Sequence, residues 1–148
     1  FMARSIVRDH PDILDQFDAD DHSLLARASW ETNHNNEAVR IMIDLGFPID
    51  SPESSHGFDA LHNAAFDGNT ELVKLLVDAG HPIDVPDPDF SDTPLRWCIH
   101  AATEARRSDH DYAGVVRILL RAGASFDIRR YPVGHVPIDT ALKECLGL

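Results

Sequence analysis

Residues 59–80 read "DALHNAAFDGNTELVKLLVDAG" and carry the clearest structural pattern in the chain. Asp59 is a good helix N-cap, because its side-chain oxygen can accept a hydrogen bond from a free backbone N–H. Leu61 and the alanine pair that follows it fall on one helical face, and "GNT" at 68–70 makes a turn. A second apolar stripe comes next, and Gly80 stands where a left-handed residue is wanted at a helix C-terminus. The stretch therefore predicts two short helices joined by a turn.

The same pattern recurs along the chain. Segments that match the first helix begin 36, 34 and 43 residues apart. Gly46 and Gly123 match Gly80, and these glycines are spaced 34 and 43 residues apart. Because both markers give the same spacing between the second and third units, we interpret the chain as a repeat array with a period near 34. The matching first-helix segments are "SLLARAS" (23–29), "DALHNAA" (59–65), "TPLRWCI" (93–99) and "VPIDTAL" (136–142).

This repeat resembles the ankyrin-repeat family, whose unit has a period of ~33 residues and a T-P-L-H-x-A signature. The match is close at 59–80 and literal for "TPL" at 93–95, whereas "SLLARA" and "VPIDTA" are looser. The resemblance covers nearly the whole chain. It implies an all-α solenoid of stacked helix-turn-helix units joined by extended loops, with three full repeats and a half-repeat at each end.

The repeat alignment divides a single domain, 1–148, into five parts. Residues 4–14 resemble a second helix with its loop, and residues 136–146 resemble a first helix without its partner. The third repeat carries nine extra residues, which are either a lengthened helix pair or surface loop, or an added contact element. The expected parts are an N-terminal half-repeat (1–17), repeat 1 (18–53), repeat 2 (54–87), repeat 3 (88–130, with the insertion at about 103–112) and a C-terminal half-repeat (131–148).

Composition narrows the classes of partner. The chain has 13 Lys and Arg against 25 Asp and Glu, a net charge of −12. Such a balance argues against nucleic acid and anionic membranes, and it favours a protein partner with basic and apolar surface. No apolar run is long enough to span a membrane. We expect a monomer in a reducing compartment, the cytoplasm, because Cys98 and Cys145 form no CxxC pair and Cys98 stands among apolar residues as a buried thiol.

One group of side chains could be mistaken for a reactive site: Asp59, His62 and Asp67. Asp59 and His62 are three residues apart and adjoin on a helix surface, so the carboxylate can cap the helix and also bind the imidazole. Asp67 lies at the far end of the same short helix. In the family that the chain resembles, the matching histidine is a structural hydrogen-bonding residue. We therefore interpret His62 as structural, and we expect no catalytic residue, metal or cofactor, since the sequence has no recognised enzyme or metal motif.

The resemblance also implies where a partner would bind: on the concave face, at the loop before each first helix and at that helix's end. Four of the chain's eleven aromatic residues fall at such positions, and aromatics beside acids suit an interface core with a charged rim. For Trp30 and Phe66, partner contact and packing between repeats both stay open, and for Phe58 and Phe90 we favour packing. The predicted partner-binding residues are Asp20, His22, Trp30, Glu31, His56, Phe58, Phe66, Asp67, Phe90, Asp92, His100 and His135.

Two functions therefore follow from the sequence. The first is a non-catalytic protein–protein interaction module. The alternative is the regulatory or targeting domain of a larger enzyme, since the array begins partway into one repeat and stops partway into another. The complete reading frame distinguishes the two functions.

Overall fold

A computed structural model of the protein describes residues 2–17, 23–30, 36–51, 58–105 and 110–148. Within these ranges the regular secondary structure is entirely helical, so the predicted all-α fold is confirmed. A π-helical segment, Ala101–Ala105, continues α7, and a 3-10 turn, Ile128–Arg130, precedes α9. The helices are α1 (Met2–Asp9), α2 (Ile13–Phe17), α3 (Leu24–Trp30), α4 (Glu37–Leu45), α5 (Ala60–Phe66), α6 (Thr70–Asp78), α7 (Pro94–His100), α8 (Tyr112–Arg121) and α9 (Val136–Leu146).

The predicted N-cap at Asp59 is confirmed, and side-chain capping varies among the other helix starts. Ser23 Oγ accepts from Ala26 N at 3.1 Å, and Asp59 accepts from the second and third backbone N–H groups of α5. Thr93 occupies the N-cap of α7, but its side chain accepts no capping hydrogen bond. Pro137 is the second residue of α9 and not the first, because His135 is the N-cap.

A left-handed glycine ends the second helix of each repeat. Gly46, Gly80 and Gly123 have φ of +90°, +91° and +103°, a backbone conformation that residues with a Cβ rarely adopt. The glycine spacing in the sequence therefore marks a real backbone feature.

One position of the repeat contributes a buried side chain to the core in every unit. Leu25, Leu61 and Leu95 stand at the same place in α3, α5 and α7, and each is at most 1% exposed. Ile138 takes this place in α9 and is fully buried. Burying such a side chain contributes roughly 2 kcal/mol, and this row adds to the many other buried apolar side chains of the core. Helix α5 packs on both α3 and α7, and α6 packs on α8.

The two ends of the array differ. Helix α1 packs on α4, with Arg4 Nη2 at 2.8 Å from Asp44 Oδ2, as expected for a second helix. Helix α9 resembles a first helix in sequence but packs mainly on α8, where Arg117 Nε lies 2.8 Å from Glu144 Oε2. The apolar pattern of α9 determines which of its faces is buried, and it does not determine which helix covers that face.

The insertion lengthens the first helix of the third repeat. The π-helical segment follows α7 directly, and α8 begins only at Tyr112. His110 then reaches back to the second repeat, where its Nδ1 contacts the Asp67 carbonyl oxygen. Its ring also stacks on Tyr112, with centroids 5.8 Å apart. The described part of the insertion is thus both a helix extension and a contact with the neighbouring repeat.

Two further predictions concern burial and membranes. Cys98 is fully buried, as predicted, and burial raises the pKa of its thiol well above the ordinary value. Among the described residues, no helix combines the length and apolar character that a bilayer crossing needs.

Candidate partner-binding site

Four aromatic side chains pack on the indole ring of Trp97, on α7. Its ring packs edge-to-face against Phe58, Phe66 and Phe90, with centroids 5.2, 5.7 and 5.6 Å away. His100, one turn further along α7, packs on the same indole at 5.7 Å. Edge-to-face contacts at such distances add to the stabilisation that burial alone provides. Four residues predicted to bind a partner, or to pack between repeats, are therefore brought together by a fifth that the sequence argument passed over.

Trp30, on α3, adds a ring from the first repeat to this group of aromatic side chains. Its ring stacks on Phe66 with centroids 5.9 Å apart and 23° between the planes. Trp30 is 56% exposed and Phe90 is 64% exposed, whereas Phe58 and Phe66 are half-buried. The packing favoured for Phe90 is thus wrong in part, because the ring touches Trp97 but stays largely in solvent. Two large aromatic rings of this group, Trp30 and Phe90, are thus exposed to solvent.

A cavity of about 360 Å³ opens between these rings. This volume lies at the lower end of ligand pockets, ~300–1,000 Å³, so it suits one inserted side chain better than a bulky cofactor. We refer to this cavity as the aromatic pocket. Its lining residues are Trp30, Phe58, His62, Asn63, Phe66 and Trp97.

His62 forms the floor of the aromatic pocket and is fully buried. Its Nδ1 lies 2.8 Å from Asp59 Oδ1, and its Nε2 lies 3.1 Å from the Asp92 carbonyl oxygen. Both partners only accept hydrogen bonds, so the geometry calls for an N–H on each ring nitrogen. Burial opposes the charged ring, but the hydrogen bond and charge of Asp59 outweigh it, and the pKa of His62 is raised above 6.5.

Asp59 lies between two buried histidines. Besides His62, it faces His81, whose Nε2 is 3.6 Å from Asp59 Oδ2 and whose Nδ1 is 2.8 Å from the Pro82 carbonyl oxygen. Asp67 is not part of this group, since its carboxylate faces His110 Nδ1 at 3.6 Å. The interpretation of Asp59 and His62 as a structural bracket is therefore supported, because every nitrogen of the His62 ring is engaged in holding the chain.

The raised pKa of His62 predicts that the free energy of unfolding falls as the pH rises above neutrality. The pKa of His62 is near 6.5 in the unfolded state and higher in the folded state. The stabilisation of the fold by protonated His62 is therefore complete below pH 6.5 and is lost as the pH rises through the folded-state pKa. We expect the urea midpoint to be higher at about pH 6 than at about pH 8.

His62→Gln should flatten this dependence, and His10→Gln, at an exposed histidine, should leave it unchanged. An equal alkaline loss in wild type and His62→Gln would show that another group carries the effect.

Asp87 holds the loop that precedes α7. The carboxylate is 1% exposed and accepts from the backbone N–H groups of Asp89, Phe90 and Asp92 at 3.0, 2.7 and 3.0 Å. It also accepts from Trp97 Nε1 at 2.9 Å. Burial alone would raise the pKa of Asp87, but these four donors together hold it below its ordinary value. The loop and the central indole of the cluster are thus fixed by one ionised side chain.

The remaining predicted residues are placed apart from the pocket lining or lie outside the described ranges. Asp92 binds Arg96, with Oδ1 at 2.8 Å from Nη1. His135 precedes α9, and among the described residues no ring contact joins it to the cluster. Asp20, His22, Glu31 and His56 fall outside the described residues.

Trp97 is the functional candidate that the sequence argument missed. It stands at the repeat position of Arg27 and Asn63, while Trp30, Phe66 and His100 share another position. A large ring where the other repeats carry a polar residue was the available signal.

The polar groups of this face are used for structure. Among the described residues, no group of three His, Cys, Asp or Glu side chains is arranged to hold a metal ion. The site offers ring surfaces that are held in place by buried carboxylates, an arrangement that can bind a ligand by shape.

A comparison with protein-family models matches residues 24–130 to a model described as ankyrin repeats, in three copies. No curated protein gives a significant match to the chain.

Proposed function

Since the chain belongs to the ankyrin-repeat family, we propose that it is a non-catalytic module that binds a protein partner on the face that carries the aromatic pocket. Repeats of this family are generally protein–protein interaction modules. The observation that carries the proposal is the exposed Trp30 ring, stacked on Phe66 at the mouth of a cavity.

Aromatic rings in this arrangement are suited to the core of an interface. Binding energy concentrates in a few buried Trp, Tyr and Arg side chains that fill pockets. Trp30 loses little rotamer entropy on binding, because it is already held against Phe66. A partner side chain that enters the aromatic pocket would find four rings in place.

The charge of the module supports a basic partner. Asp67 follows Phe66 directly in the chain, the Asp92 carbonyl oxygen lies 3.1 Å from Nε2 of the lining residue His62, and the whole chain carries −12. Acids around an apolar centre steer a positively charged surface towards it and raise the rate of association. The free thiols of Cys98 and Cys145 support action in a reducing compartment, as proposed from the sequence.

The proposal predicts that partner capture depends on this face. A variant with Trp30→Ala, Phe66→Leu and Asp67→Asn should capture its partner at least about tenfold less well, because interface centres lose more than 1 kcal/mol for each truncated anchor. The measurement is affinity capture from a lysate of cells that express the protein, quantified by mass spectrometry against wild type.

Ile41→Ala is the matched control, since Ile41 is a 48% exposed apolar side chain on α4. Urea denaturation of each variant shows that the fold is retained. Proteins lost with the triple variant and kept with Ile41→Ala support the proposal. Equal capture by wild type, the triple variant and Ile41→Ala would mean that partners bind elsewhere.

A further inference from the structure

The walls of the aromatic pocket enclose its space from several sides. Trp30 and Phe66 lie nearly parallel, with 23° between their planes, and form one wall. The ring plane of Trp97 is inclined by 69° to that of Phe66 and by 78° to that of Phe58. A group inside the pocket therefore faces rings that differ in orientation, and ring faces carry the negative part of the aromatic quadrupole.

The nitrogen atoms of the two polar lining residues are already hydrogen-bonded. Both ring nitrogens of His62 are hydrogen-bonded, and the Asn63 amide donates to the Ala26 carbonyl oxygen at 2.9 Å. No carboxylate is among the described lining residues. An unmodified ammonium would lose its strong hydrogen bonds to water without full replacement. A methylated ammonium has fewer N–H groups to satisfy and keeps its positive charge, so ring faces suffice to hold it.

The charges around the pocket favour a cation over a neutral group. Asp87 accepts from the indole N–H of Trp97 at 2.9 Å, and this hydrogen bond to an ionised group enriches the electron density of the ring. His62 is paired with Asp59 at 2.8 Å and Arg96 with Asp92 at 2.8 Å, so neither side chain leaves an uncompensated positive charge beside the pocket. The excess charge of the chain is negative.

We infer that the aromatic pocket binds the methylated ammonium group of a lysine side chain presented by the partner protein. The inference rests on the proposed function and specifies what enters the pocket. The alkyl stem of such a side chain would lie along Trp30, whose exposed ring leads into the cavity.

The test compares three short peptides that differ in one side chain: trimethyllysine, lysine and the neutral isostere in which carbon replaces the ammonium nitrogen. Binding to the 148-residue chain is followed by tryptophan fluorescence, which reports on Trp30 and Trp97 alone because the chain has two tryptophans. We expect trimethyllysine to bind about tenfold more tightly than the isostere, the size of a desolvated cation–π contact. Binding should be lost with Trp30→Ala and kept with Ile41→Ala.

Equal binding of the trimethyllysine peptide and its isostere would overturn the inference, since apolar contact alone would then fill the pocket. Lysine binding as tightly as trimethyllysine would also overturn it. Choline chloride tests a free quaternary ammonium, and tighter binding of choline than of the peptide would overturn the assignment to a partner lysine. In each case the capture experiment with the triple variant still decides the proposed function independently.

Discussion

Asp87→Ala is expected to lower the free energy of unfolding by about 3 kcal/mol. The substitution leaves four donors without an acceptor: three backbone N–H groups of the loop before α7 and the Trp97 indole. These donors are partly buried, so each loses its partner and recovers only part of its hydration. The loss should appear in urea denaturation as a lower midpoint with an unchanged slope.

Two further variants divide this effect. Asp87→Asn should cost nearly as much as alanine, because its amide can accept at one position only and would direct N–H groups towards the other donors. Trp97→Phe removes one donor and keeps a ring, and should cost about 1 kcal/mol. The control is Asp12→Ala, at an exposed acid. A loss with Asp87→Ala no larger than that with Asp12→Ala would show that the loop does not depend on this carboxylate.

Asp59→Ala is expected to cost a similar amount, about 3–4 kcal/mol. Asp59 caps α5 through the N–H groups of Leu61 and His62 at 2.9 Å, and it balances the buried His62 ring. Alanine removes the cap and leaves the buried histidine either charged without a counter-ion or neutral, with Nε2–H still donating to the Asp92 carbonyl oxygen and Nδ1 without a partner. Removing one member of a buried pair is costly for this reason.

Asp59→Thr separates the two roles. Threonine can cap a helix but carries no charge, so it should recover the capping part, about 1 kcal/mol. The fall in stability between about pH 6 and about pH 8 should then diminish, since the pKa of His62 is raised chiefly by Asp59 against burial. Should Asp59→Thr match alanine in stability at about pH 6, capping would contribute nothing here.

The parts of the fold that could be predicted depend on residues close together in the chain. A cap such as Asp59 and a C-terminal glycine such as Gly80 act within a few residues, so their chemistry can be inferred from local sequence. The row of Leu25, Leu61 and Leu95 followed from the period. The packing of α9 on α8 could not be predicted in this way, because an apolar stripe does not show which helix will cover it.

The candidate site could be predicted only in part, for a related reason. Trp30, Phe66 and Phe58 were identified by their repeat positions, and the structure brings them to one cavity. Trp97 and Asp87 were missed, because their roles arise from a hydrogen bond across ten residues and from contacts between repeats. Nothing in the local pattern of either residue shows that the other is near.

The aromatic pocket draws its walls from three successive first helices, since Trp30 is on α3, Phe66 on α5 and Trp97 on α7. No single repeat contains it, so the pocket exists only while all three units remain docked. A ligand held there would raise the energy needed to peel the first or third unit away from the second, by the linkage between binding and folding. A ligand in the pocket would therefore make the three repeats unfold more nearly in one cooperative transition. Separation of an end repeat from the second repeat would then require release of the ligand.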